Sequence, residues 1–230
     1  MNGFNNLRLY EEIMLLALRD QEGTVPMDSN YKYPVAGAII SELLLSKHIG
    51  IDRVKKKKFL KVFNSTPGGD PLIDECIGKI NFAKRRATIE TWVSRFVNIK
   101  NLKQRIAEQL CSRGILKADE DTILLIFKRK IYPEINPIPE NNLIERMRKA
   151  IFTDTQDIDP RIVVIISLAK SADLLKMVFD KKELKIRKQR IEEIINGEVV
   201  GKATAEAIQA MQAAVMAACI VPVIASTACS

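Results

Sequence analysis

Between Tyr10 and Arg19 the chain reads YEEIMLLALR, with apolar side chains on nearly every side of the helix it would form. Such a helix has no face to offer water, so other elements must surround it. This predicts a central helix with the rest of the fold wrapped around it. The material for that is present: 230 residues, 47% of them hydrophobic and 28% charged, suffice for a sizeable core. A second apolar stretch lies at the other end, where no charged residue follows Glu206. It is long enough to span a bilayer. Yet alanine dominates it, Gln209 and Gln212 interrupt it and Pro222 breaks it. Alanine adds little to insertion, so Thr204–Ile220 reads as a buried core helix rather than an anchor.

The remaining elements follow from punctuation. A loop at Gly23–Pro34 leads to a helix at Ala36–Lys47, and Asp70-Pro71 is an N-cap followed by a first helical residue. Thr88–Phe96 spaces Ile89, Trp92 and Phe96 for packing, and Asn101–Arg113 ends at Gly114. Strands at Ile115–Lys117 and Ile123–Phe127, joined by Ala118–Thr122, predict a β-hairpin. Pro133, Pro137 and Pro139 mark an extended connector, and helices are expected at Asn142–Phe152, Pro160–Val178 and Lys182–Ile195. The fold class is therefore mainly α: a single globular helical domain around buried central helices, with one apolar β-hairpin. An internal echo aligns Ile40–Ile49 with Ile106–Ile115, which sets His48 where Gly114 stands and predicts a helix-terminating role for it.

With 36 basic against 28 acidic residues the net charge is +8, which favours anionic partners. No basic, apolar and cleavable leader is apparent at the N-terminus, so a cytoplasmic protein is expected, with Cys76, Cys111, Cys219 and Cys229 as reduced thiols. His48 is the single histidine, and no P-loop, metal-ligand or dinucleotide-binding pattern is present. Gly68-Gly69-Asp70 lacks the lysine of a phosphate loop and reads as a turn with a cap. Neither an enzyme, a cofactor nor a metal is expected.

Five blocks in order give the chain a resemblance to a known family. They are LRLYEEIMLLALRDQEG at Leu7–Gly23, AGAIISELLLSKHIGI at Ala36–Ile51, GGDPLIDECI at Gly68–Ile77, NLKQRIAEQLCSRGIL at Asn101–Leu116 and DPRIVVIISLAKSADLL at Asp159–Leu175. Together they resemble the Golgi phosphoprotein 3 family of peripheral membrane adaptors. The resemblance divides the chain into a short extension, residues 1–6, and a family-like domain, residues 7–230, of a minimal or prokaryotic kind. It implies binding to anionic membrane lipid, phosphatidylinositol 4-phosphate in the family, and placement on the cytoplasmic side of a membrane, the Golgi in a eukaryote. It implies no enzymatic activity, and it names cytosolic tails of membrane enzymes as candidate partners.

The resemblance places the lipid phosphate on Lys100 and Lys103, where the family normally has arginines. The family's loop tryptophan has no counterpart between Gly23 and Gly37, and Ala36 stands where the family has arginine. Lys32 and Tyr33 are the nearby substitutes, and Ala36→Arg is expected to restore a donor. The apolar run Ile123-Leu124-Leu125-Ile126-Phe127 corresponds to a hairpin that the family uses for membrane insertion and self-association, so a homo-oligomer is expected through it. Lys128-Arg129-Lys130 beside it suit lipid phosphates, whereas Asp119-Glu120-Asp121 oppose them. The alternative is nucleic-acid binding. Asn101–Phe127 has the helix-turn-hairpin order of a winged helix, although Ile106, Leu110 and Cys111 look buried and Glu108 is unsuited to DNA.

Overall fold

The computed structural model describes residues 7–18, 31–123, 127–156, 158–199 and 214–218, with 121–123 and 127–129 at backbone level only. The chain is mainly α, as expected, and one hydrophobic core runs through the helices. Helix α1 (Leu9–Ala17) is buried along its whole length, Glu11 and Glu12 included. It packs against α2 (Lys32–Leu45), α5 (Leu102–Ser112), α6 (Ile138–Phe152) and α7 (Pro160–Ser171). At Gly37 an added Cβ would stand 2.9 Å from Ala218 Cβ and 3.0 Å from Leu168 Cδ2, so the missing side chain lets α2, α7 and residues 214–218 meet. Residues 214–218 are helical, and Ala214, Val215, Ala217 and Ala218 are buried. The rest of the expected Thr204–Ile220 helix lies outside the described residues. Among the described residues no helix is long and apolar enough to cross a membrane.

The expected punctuation at Asp70 and Gly114 is present, and further caps join it. Asp70 Oδ1 accepts from the amides of Leu72 and Ile73 at the head of α3 (Pro71–Asn81), and Thr88 caps α4 (Ile89–Val97). Asp159 accepts from Arg161 N at the head of α7, and Gly114 takes the left-handed conformation after α5.

Other expectations are corrected. Helix α2 starts at Lys32, one turn earlier than expected, because a helix tolerates Pro34 within its first turn. The same holds for α6, which begins at Ile138 with Pro139 second. The left-handed residue after α2 is Lys47 (φ 56°), not His48. Lys47 N bonds to Leu44 O and His48 N to Leu43 O, as Gly114 N bonds to Cys111 O and Ile115 N to Leu110 O. The echo is therefore real but aligns Lys47 with Gly114.

The expected Pro160–Val178 helix breaks at Asp173 (φ 59°) into α7 and α8 (Leu175–Val178). The next divides into α9 (Lys181–Ile186) and α10 (Lys188–Asn196), which Gly197 (φ 75°) closes.

Among the described residues there are two hairpins, not one. Strands β1 (Ile49–Val54) and β2 (Lys57–Val62) pair antiparallel across a turn at Lys55-Lys56, with Lys55 at φ 55°. The other hairpin is shifted from its expected register: β3 is Asp119–Ile123 and β4 is Phe127–Ile131. Asp119-Glu120-Asp121 is strand rather than turn, in a ladder whose register sets Glu120 opposite Lys130 and Asp121 opposite Arg129. Leu124, Leu125 and Ile126 lie outside the described residues.

Carboxylates on a buried helix require partners, and α1 has them. Glu12 meets Arg146 at 2.5 Å and Arg161 at 3.5 Å, while Glu11 faces Arg113 at 3.3 Å and accepts from Arg8 N at 2.8 Å. The Tyr10 hydroxyl donates to Asp70 at 2.5 Å, and Glu42 lies between Arg8 and Arg161. Burial nevertheless outweighs these partners and holds both the Glu11 and Glu12 carboxyls above the ordinary carboxylate range. A carboxyl whose pKa is raised by folding binds protons more tightly in the native state. Its contribution to stability therefore grows as pH falls from neutrality towards the unfolded value of about 4.3. Urea unfolding at pH 7, 6 and 5 checks this: the stability of wild type relative to Glu11→Gln is expected to rise at each step. A constant gap between the two proteins would contradict it.

Candidate phosphate-binding hollow

The α4–α5 junction is set by two buried anchors, Ile99 and Leu102, with Asn101 between α4 and α5 in the left-handed conformation (φ 55°). Asparagine visits that region more readily than most residues. The turn leaves Lys100 exposed and brings the first turn of α5, with Lys103 and Gln104, to the mouth of a hollow of about 360 Å³. The Asn101 side chain makes no capping bond there. The positive end of the α5 dipole adds to the pull on an anion.

The other walls come from distant parts of the chain. Tyr31 and Lys32 enter from the start of α2, and Lys130 and Tyr132 from the end of β4 and the residue beyond it. Val97, Ile99 and Leu102 form an apolar floor. Lys130 Nζ lies 3.8 Å from a Glu108 carboxylate oxygen, a long pair that leaves net positive charge at the rim. Tyr132 is 2% exposed, and its buried hydroxyl has no hydrogen-bond partner among the described residues. Burial raises the phenol pKa of both Tyr31 and Tyr132, so each keeps its O–H donor at neutral pH. The hollow is thus lined by three lysines, two tyrosines and the head of α5, residue types suited to an anionic oxygen cluster.

Of the residues singled out in the sequence, Lys103 and Lys32 meet here although 71 positions separate them. Lys100 lies outside the lining, exposed on the approach, and Tyr33 is half-buried against the core. Ile123 and Phe127 pair at the ends of β3 and β4, and nothing of their side chains is described. Sequence reasoning gave Lys130 no part in this pocket and missed Tyr132 altogether. Their spacing of two along an extended segment places them on one face, the signal that was available.

Ala36 is fully buried in α2, so the expectation that Ala36→Arg restores a lipid donor fails. An arginine there enters a filled core, where overpacking costs about 2 kcal/mol. Thermal or urea unfolding of Ala36→Arg is expected to show that loss, with no gain in lipid selectivity. A variant as stable as the wild type would contradict the burial.

The sequence profile of the family described as Golgi phosphoprotein 3 (GPP34) matches residues 9–211. Vacuolar protein sorting-associated protein 74 of Eremothecium gossypii is 25% identical over 137 residues, which cover 52% of this chain and 41% of that protein. The match therefore spans less than half of that relative's own length.

Proposed function

The chain belongs to the Golgi phosphoprotein 3 family, and we propose that it is a non-enzymatic adaptor that docks peripherally on anionic membrane through this hollow. The observation that carries the reading is the convergence of Lys32, Lys103 and Lys130 with the orphaned Tyr132 hydroxyl on the head of α5. A lipid phosphate there accepts from the tyrosines and is neutralised by the lysines. The apolar segment between β3 and β4 is suited to dip between head groups and to bring copies together. The name of the fungal relative ties that protein to vacuolar protein sorting. The family resemblance adds cytosolic tails of membrane enzymes as the proposed cargo class, held on the cytoplasmic face of a membrane.

Lysines are flexible point charges without the bidentate fork of arginine, so attraction to negative charge dominates over the fit of one head group. Flotation with neutral, phosphatidylserine-containing and phosphatidylinositol 4-phosphate-containing vesicles tests this at low and high salt. Binding is expected on both acidic kinds, weakened by salt, with less than about tenfold preference between them at matched charge. Equal binding to neutral vesicles would refute membrane docking by charge. A gel shift on duplex DNA, run in parallel, separates lipid from nucleic acid: a shift without flotation would favour the winged-helix alternative.

A further inference from the structure

A second hollow, of about 390 Å³, lies where α8, α9 and α10 close over the C-terminal end of α7, and it shares no lining residue with the first. Its origin is the pair of helix breaks that the sequence did not announce. The turn at Asp173 redirects the chain so that Leu175 and Lys176 border the hollow, and the short helix α9 adds Leu184 before α10 begins. Leu175 and Ile191 are buried and Leu184 is half-buried, so the seat is apolar.

The rim is made of lysines. Two already hold carboxylates: Lys170 pairs with Glu192, and Lys176 with Asp173 at 2.6 Å. The other three, Lys181, Lys185 and Lys188, are exposed and make no ion pair among the described residues. Lys181 and Lys185 are four apart on α9, on the same face, where like charges repel. Beside them Ile186 is 80% exposed and Met177 45%, which extends the apolar surface past the rim.

We propose that this hollow docks an acidic peptide segment of a partner protein, one apolar side chain seated on Leu175, Leu184 and Ile191 with carboxylates on Lys181, Lys185 and Lys188. Charge complementarity selects the sign of the partner. The hollow, of about 390 Å³, has room for a side chain or two.

The test is fluorescence anisotropy of the full chain with labelled short peptides. The probe carries a central leucine or phenylalanine flanked by aspartate and glutamate. One control replaces the central residue with serine, and another replaces the acids with lysine. Only the acidic, anchored peptide is expected to bind, and salt should weaken it. The triple variant Lys181→Glu, Lys185→Glu, Lys188→Glu is expected to lose affinity by about tenfold or more. Leu184→Ser is expected to weaken binding as well, whereas Lys32→Glu with Lys103→Glu leaves it unchanged. Because the three lysines are exposed, the triple variant retains the fold, which circular dichroism checks. No binding at millimolar peptide, or binding that the triple variant leaves intact, would overturn the proposal. So would a triple variant that loses only acidic vesicles, which would make this face a lipid surface instead.

Discussion

Replacing Arg161 with methionine is expected to lower the unfolding free energy by about 3 kcal/mol, because removing one partner from a buried ion network leaves charge uncompensated. Arg161 joins the start of α1 to α2 and α7 through one guanidinium. Its Nη2 donates to Leu7 O at 2.8 Å and lies 3.5 Å from Glu12, while Nη1 donates to Glu42 at 3.3 Å. Glu12 and Glu42 are 3% and 4% exposed, so water cannot replace what is lost. The figure sits at the low end of such losses because Arg146 still holds Glu12 and Arg8 still holds Glu42. Methionine keeps the apolar stem, so the measurement isolates the charged head. Arg161→Lys should recover only part, since an ammonium cannot serve three acceptors in the geometry of a planar fork. Urea unfolding at neutral pH reads all three proteins. A loss below about 1 kcal/mol for Arg161→Met would show that this network behaves as surface pairs do.

The same network shows where the sequence stops being legible. That α1 is buried could be read from Ile13 to Leu18 alone, since an all-apolar helix has one place to go. That Glu11 and Glu12 go with it could not be read, because the arginines that permit it lie up to 149 residues away. Local punctuation was legible where the residue type itself favours the conformation: Asp70 as a cap through its side chain and Gly114 as a stop through its backbone. It failed where an ordinary residue takes a left-handed conformation, as Lys47, Lys55 and Asp173 do. Those three positions account for the misplaced helix end, the missed hairpin and the broken helix. The candidate site divides in the same way. Lys103 followed from resemblance and Lys32 from its closeness to the expected pocket, but Lys130 and Tyr132 join them only because β4 returns past the head of α5. Ala36 illustrates the converse: position in an aligned block suggested a donor, and burial denies it one.

Lys32→Glu combined with Lys103→Glu is expected to reduce partitioning onto acidic vesicles by tenfold or more. Each basic residue near such a surface contributes about 1 kcal/mol, so reversing two changes the balance by up to about 4 kcal/mol at low salt. Screening over about 10 Å at 0.1 M salt cuts that figure, and a tenfold loss requires about 1.4 kcal/mol of it to survive. Lys32 is exposed and Lys103 sits on the first turn of α5, so neither reversal disturbs the core. The decisive comparison is Lys55→Glu with Lys56→Glu in the β1–β2 turn, which changes the net charge equally but lies outside the hollow. If lipid binds in the hollow, this second pair should retain most of the wild-type binding and show the ordinary salt dependence. If both pairs lose binding alike, the protein adheres through its net charge of +8 and the hollow is not its docking site. A Lys100→Glu single variant ranks the approach against the interior. Lys100 is exposed beside the hollow but outside its lining, so its loss should be smaller than that of Lys103→Glu measured on the same vesicles.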